Sequence, residues 1–181
     1  MDASALIASL QDAVPDAQFE GAPSVDLQTT IYAPREAVPD MARALRDRPD
    51  LAFTFLAELT AVDFWPTEPR FELVYILVSL VHRARIRVKV RLNADDARVA
   101  TVSGVWPAAN WLEREVWDLF GIEFDGHPDP RRLLMPEDWE GYPLRKDYPV
   151  QIRKTPEYSQ PLQVTAEQFR QSVERDRLTR R

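Results

Sequence analysis

The chain has 181 residues, which fits one domain plus an extension and is long enough to bury a sizeable core without disulfides or metals. It has no Cys, which excludes disulfides, thiolate nucleophiles, thiolate zinc sites and Cys-ligated iron–sulfur clusters together, and is compatible with a reducing compartment. A net charge of −6 argues against nucleic-acid binding by the chain as a whole. Only 5 Gly, with no G-x-G-x-x-G or G-x-x-x-x-G-K-[ST], exclude the usual dinucleotide and P-loop cradles.

In chain order, Ala3 to Ala13 carries Leu6, Ile7, Leu10 and Ala13 at helical spacing, with Asp2 or Ser4 as N-cap and Pro15-Asp16 as the stop. This start lacks the basic n-region and cleavage site of a signal peptide. DLQTTIYA alternates and reads as a strand that ends at Pro34. Arg35 to Arg48 resumes the helical period through Val38, Met41, Ala42 and Leu45, with Pro39 tolerable only in a first turn. Three further strands follow: LAFTFLAELTAVDFW, FELVYILVSLV and ARIRVKVRL. The second is apolar almost throughout and reads as a central strand. No apolar run reaches the ~20 residues of a membrane span. The third alternates Ile86, Val88, Val90 and Leu92 with Arg85, Arg87, Lys89 and Arg91, a half-buried strand with a basic outer face. His82-Arg83 is the expected hairpin tip. That basic face reads as meeting either a nucleic acid or an acidic subunit.

PAANWLEREVWDLFG reads as a helix with Ala109, Leu112, Val116 and Leu119 as its apolar stripe and Gly121 at its end. Arg114 and Asp118, four apart, are expected to pair on its polar face. After Phe124 periodicity stops, and Pro recurs at 128, 130, 136, 143, 149, 156 and 161. A capping box at Thr165–Gln168 opens a last short helix holding Phe169, Val173 and Leu178. The expected organisation is an α+β core domain over 1–124 and a Pro-rich extended tail over 125–181. The core is a two-layer domain whose mostly antiparallel or mixed sheet of four to five strands is covered by helices on one face.

The tail must be disordered, wrapped on its own domain, or docked on a partner. Leu133, Leu134, Met135, Trp139, Tyr142, Leu144 and Tyr148 are too apolar for a solvated linker. Exposed aromatics beside Arg mark interaction surfaces, so the expected docking set is Arg131, Arg132, Trp139, Tyr142, Leu144, Arg145, Lys146, Asp147 and Tyr148. Arg131-Arg132 and Arg145-Lys146-Asp147 read as a phosphate or lipid site, or as ion pairs and docking contacts among Glu137, Asp138 and Glu140. Glu113 and Glu115 could be paired acid–base carboxylates, but two residues apart on a helix they face different ways. A solvated or salt-bridged role is the alternative. His127 reads as a base or metal ligand, or as a loop His bonded to its neighbours.

The stretch ANWLEREVWDLFGIEFDGHPDPRRLLMPEDWEGYPLRKDYP resembles the hallmark segment of the 30-kDa subunit family of respiratory NADH:quinone oxidoreductase (complex I), known in bacteria as the C subunit. The likeness is nearly continuous over that segment, including the helix residues Glu113, Arg114, Glu115, Asp118, Phe120 and Gly121 and, beyond it, His127. It continues more weakly through LTAVDF, RFELVYILVSL and RIRVKVRL. The resemblance implies a non-catalytic peripheral-arm subunit that supports the quinone-reducing module, with no catalytic, cofactor-binding or metal-binding residues of its own. FMN, iron–sulfur clusters and quinone would sit in or between other subunits. It further implies docking on the large hydrogenase-like quinone-site subunit and neighbouring iron–sulfur subunits, and a peripheral place on the cytoplasmic face of the cell inner membrane, held there indirectly by partners. Related membrane-bound hydrogenases and other quinone or cofactor dehydrogenases carry similar subunits, and a free-standing hydrolase using Glu113, Glu115 or His127 is the reading from another class. Two departures stand out: Pro130 where the family usually has Leu, which stiffens a loop, and Tyr142 where a His is common, which removes a titratable ring.

Overall fold

The computed structural model describes residues 2–149, 165, 167 and 169–171. The chain divides into a compact unit, Met1–Tyr148, and a second unit, Pro149–Arg181, in which Glu167 and Phe169–Gln171 are helical. Val173, Leu178 and the rest of the expected last helix lie outside the described residues.

The first helix, α1 (Ala3–Ala13), starts where Asp2 accepts the Ala5 N–H at 2.8 Å, and it buries Leu6 and Leu10. A two-residue strand, β1 (Glu20–Gly21), and β2 (Thr29–Tyr32) lead to a 3-10 turn at Arg35–Ala37 and to α2 (Val38–Asp47), whose Pro39 sits in the first turn. Then come β3 (Phe55–Asp63), β4 (Phe71–Ser79) and β5 (Ala84–Leu92), followed by β6 (Arg98–Ala100), α3 (Ala109–Phe120) and β7 (Glu123–Asp125). The short strands β1, β6 and β7 add to those expected, because two or three residues carry too little alternation to read from sequence.

The main sheet has the order β1-β2-β5-β4-β3, and β6 pairs with β7 in a second, two-stranded ladder. The main sheet is mixed: β2 runs parallel to β5 and every other pair is antiparallel. The crossover through α2 carries the chain from β2 to the far edge. The meander β3-β4-β5 then returns it beside β2. One face of the sheet, through Ile31, Leu59, Leu73, Tyr75, Ile86 and Val88, joins the helices' Leu10, Met41, Leu45, Val116 and Phe120 in a single core. The opposite face has Val74 and Ile76 at its centre, and neither residue belongs to that core.

The β4 run stops two residues earlier than its apolar pattern suggests. Leu80 and Val81 lie in the turn, 73% and 74% exposed. The compact unit also continues to Tyr148, well past residue 124 where periodicity ends, because the following segment is bonded to the domain along its length.

Candidate functional site

Helix α3 carries three buried charged side chains, Glu113, Arg114 and Asp118, in a class of residue that is rarely buried without partners. The expected Arg114–Asp118 pair does not form, because each reaches instead to the segment that follows the helix. Asp118 Oδ2 accepts the N–H groups of Leu133, Leu134 and Met135 at 3.0, 2.7 and 2.9 Å, and Oδ1 accepts Arg132 Nη1 at 2.7 Å. Burial alone would raise this carboxyl. The three amides and the guanidinium outweigh burial and hold it below the usual carboxylate range. Arg114 donates to the carbonyls of Arg131 and Arg132 at 3.0 and 3.1 Å and lies 3.4 Å from Asp129. Arg132 in turn donates to the Trp139 carbonyl at 2.8 Å.

A second set of bonds fastens the same segment to the sheet. Asp63 ends β3 and Arg70 precedes β4, and both are buried. Arg70 forks onto Asp63 at 2.9 and 3.0 Å and onto Asp147 at 2.7 and 3.1 Å, while the Lys146 N–H reaches Asp63 Oδ2 at 2.7 Å. Burial pushes the Asp63 carboxyl up, but Arg70 and the amides of Lys146 and Trp65 prevail and take it down to about 2. The open end of α3 is closed by the segment as well: Leu144 N–H donates to the Leu119 carbonyl at 3.0 Å and Arg145 to those of Phe120 and Gly121. Gly121 ends the helix at φ 71°, where a Cβ would strike the Tyr142 ring.

Guanidinium groups and rings alternate through the contact. Arg70 lies over Trp65 and Phe71, Arg145 over Phe71 and Tyr142, and Arg132 over Tyr142 and Trp117, with centroid distances from 4.5 to 6.0 Å. The result is a continuous ladder from the β3–β4 loop to the middle of α3.

Glu113 is fully buried, not solvated. Its carboxyl accepts the Val102 N–H at 2.7 Å and the Thr101 hydroxyl, and burial pushes it up to about 7 against those two bonds. His127 lies 3.8 Å away. Its Nε2–H donates to the Asn110 carbonyl and its Nδ1 accepts the Asp129 N–H, both at 3.0 Å, so both ring nitrogens are engaged by backbone. A recess of about 330 Å³ lies beside them, lined in part by Trp117, Phe124 and Pro130. Among the described residues no group of three His, Asp or Glu side chains could hold a metal ion.

The structure brings most of the sequence-chosen residues together. Arg132, Tyr142, Arg145, the Lys146 backbone and Asp147 turn onto the domain, and Tyr148 hydroxyl donates to the Glu140 carbonyl. Arg131 pairs with Asp129 and stays exposed, as does Leu144 at 50%. Glu115 is half-buried and sits apart from Glu113. Sequence reasoning missed Asp63 and Arg70. The signal available was a lone charge at the end of LTAVD and another opening RFELVY, each bordering an apolar strand.

Residues 31–154 match the family described as respiratory-chain NADH dehydrogenase, 30 Kd subunit. The C subunit of the NADH-quinone oxidoreductase of Roseiflexus sp. (strain RS-1) is 46% identical over 150 residues, covering 83% of this chain and 86% of that protein. Among solved structures, the trypsin-resistant fragment (1–134) of Nqo5 superposes with a TM-score of 0.54 at 33% identity, over 71% of this chain and 99% of the fragment. A chain of the membrane-bound sulfane sulfur reductase, an archaeal respiratory membrane complex, superposes with a TM-score of 0.66 at 30% identity, over 81% of this chain and 85% of that one.

Proposed function

The chain belongs to the family of the 30-kDa subunit of respiratory-chain NADH dehydrogenase, and on that premise we propose that it serves an NADH-quinone oxidoreductase as a redox-free peripheral-arm subunit that supports the quinone-reducing module. The observation that carries this reading is that the family match, residues 31–154, takes in β3, β4, β5 and the clasped segment together. In this reading the oxidoreductase and translocase activity belongs to the whole complex, and the isolated chain turns nothing over. FMN, the iron–sulfur clusters and quinone reside in or between other subunits, in keeping with a sequence that offers no thiolate. The partners are the large hydrogenase-like quinone-site subunit and neighbouring iron–sulfur subunits. Among the described residues no helix is long and apolar enough to cross a membrane. In this reading the chain is held by its partners on the cytoplasmic face of the cell inner membrane.

A support without redox groups affects turnover because a site works only when the shell around it is held to fractions of an ångström. The exposed members of the clasped segment, Arg131 and Leu144 among them, are the proposed docking contacts, and the bonds beneath them fix their positions. The test is deletion of the chain from its host. Membranes are expected to lose NADH:quinone activity, while NADH oxidation by a soluble artificial acceptor at the flavin end persists. The tagged chain is expected to bring down flavin and quinone-site subunits. Normal quinone reduction without the chain would refute the proposal. A second reading, favoured by the superposition on a membrane-bound sulfane sulfur reductase complex, places the chain in a related respiratory complex. Recovery of a quinone-site-like subunit with no NADH-oxidising partner would select it.

A further inference from the structure

The β4–β5 hairpin ends in a tip built against the usual chemistry of turns. Exposed two-strand turns favour Gly, Asn and Asp, yet this one reads Leu80-Val81-His82-Arg83. Leu80 and Val81 are 73% and 74% exposed, and Phe55, whose register partner is Val78, is 51% exposed at the same end of the sheet, on the Val74–Ile76 face. Val78 in turn pairs with Arg85, so Phe55, Val78 and Arg85 form one cross-strand row leading to the tip.

Two hydrogen bonds tie the tip down. His82 N–H donates to Ser79 Oγ at 3.3 Å, the His82 ring bonds the Pro49 carbonyl at 2.8 Å, and Arg83 takes φ 48°, a conformation that favours glycine. Fixing an apolar anchor before contact lowers the entropy lost on binding. The charge around it is one-sided. Arg87 pairs with Asp26 and Lys89 with Glu72, but Arg83 and Arg85 have no carboxylate partner among the described residues, in a chain whose net charge is −6.

Resting on the subunit reading above, we propose that Leu80, Val81, Phe55 and Val78, flanked by Arg83 and Arg85, form a docking surface for an apolar recess rimmed by Asp or Glu on a neighbouring protein subunit. A second copy of this chain does not fit. An isologous contact would set Arg83 and Arg85 of one copy against those of the other, while the nearest carboxylate on this face, the exposed Glu58, lies one cross-strand row further from the tip. Arginine's planar fork matches carboxylates in two-point fashion, and a rimming charge pair of opposite sign sets orientation and encounter rate.

The experiment uses the assembled complex. A photo-crosslinking amino acid is placed at Leu80 and, as a control of equal or greater exposure elsewhere, at Leu27 (95% exposed). Alongside it, the charge reversal Arg83→Glu/Arg85→Glu and the polar pair Leu80→Ser/Val81→Ser are compared with Val25→Ser/Leu27→Ser for recovery of partner subunits. Expected are a Leu80 adduct to one subunit of the complex at a peptide rich in Asp or Glu, and a loss of partner recovery of about tenfold in the two tip variants. Their melting temperatures stay within ~2 °C of the parent, as surface substitutions do. If the parent assembles and Leu80 gives no adduct, an adduct to lipid, or an adduct to a second copy, the surface is refuted while the subunit reading stands. If the parent itself brings down no respiratory subunits, both fall.

Discussion

Replacing Glu113 with Gln should change how stability depends on pH. In the folded protein burial raises the Glu113 carboxyl to about 7, against an ordinary value of 4.5. Below 4.5 it is protonated in both states and has no effect. Between 4.5 and 7 the unfolded chain gives up the proton while the folded chain keeps it, so stability falls as pH rises, and above 7 the loss is complete. Since one unit corresponds to ~1.4 kcal/mol, the full loss is about 3 kcal/mol, of which roughly 2.5 kcal/mol falls between pH 5 and pH 8. Gln removes the titration and keeps the geometry. Its carbonyl accepts from Val102, its amide donates to Thr101 Oγ1, and the Thr101 proton turns to Ser103, 2.8 Å away. Glu113→Gln should therefore melt close to the parent at pH 5 and roughly 5–10 °C above it at pH 8, at the 2–4 °C per kcal/mol typical of this chain length. Calorimetric melts of both proteins at pH 5, 6, 7 and 8 read the difference, which cancels the titration of groups common to the two. Parallel curves, or a Gln variant destabilised at every pH, would refute the reasoning.

Gly121→Ala adds a Cβ that collides with Tyr142 and comes within 2.7 Å of Arg145 Nη2, at a positive φ. It should cost roughly 2 kcal/mol or more and render the Arg145–Lys146 peptide bond accessible to trypsin in limited digestion. Tyr142→Leu removes the ring shared by Arg132 and Arg145 and should lower stability by about 1–2 kcal/mol in denaturant titration, whereas Tyr142→Phe should change it little. Asp63, held down at about 2, adds about 2 kcal/mol that is fully present above pH ~4 and is lost as pH falls through ~2. Asp63→Asn should therefore be less stable at pH 7 by a few kcal/mol, with the gap narrowing in acid melts, because it leaves the buried Arg70 short of one partner.

The elements with long, regular patterns were legible in the sequence. β5 runs from Ala84 to Leu92 as its strict alternation indicates, and α1 and α3 begin and end within two residues of their capping and glycine signals. The path of residues 125–148 was not legible, because it is set by side chains from elsewhere rather than by local propensity. Asp118 looks like a polar-face residue beside Arg114 until residues 133–135 return to it, 15 to 17 positions later. Glu113 escapes sequence reading for a similar reason: its hydrogen-bond donors come from Thr101 and Val102, in a loop with no periodic signal. The residues proposed for docking stand out by their type, and the structure shows the type serving the domain's own surface first, with Arg132, Arg145 and Asp147 engaged within the chain. Any partner meets what is left outward.

Why this clasp is ionic rather than apolar follows from what each chemistry specifies. Replacing a buried ion pair by apolar groups is often neutral or stabilising, so Asp118 and Arg132 need not be there for stability. What an apolar pair lacks is register. Asp118 accepts three successive N–H groups and one guanidinium at once, and a slip of one residue would leave a buried carboxylate short of a donor. Leu133 and Met135 are half-buried and Leu134 is exposed, so without the carboxylate their amides can turn to water. The double variant Asp118→Leu/Arg132→Met should then keep a melting temperature within a few degrees of the parent while the amides of residues 133–135 lose their slow hydrogen exchange. In the parent those three amides should exchange as slowly as the core of β4. Protection retained in the double variant would mean that packing, not the carboxylate, sets the path. Protection lost at constant stability would identify the clasp as the device that fixes where Arg131, Leu134 and Leu144 face outward, the placement on which a supporting subunit depends.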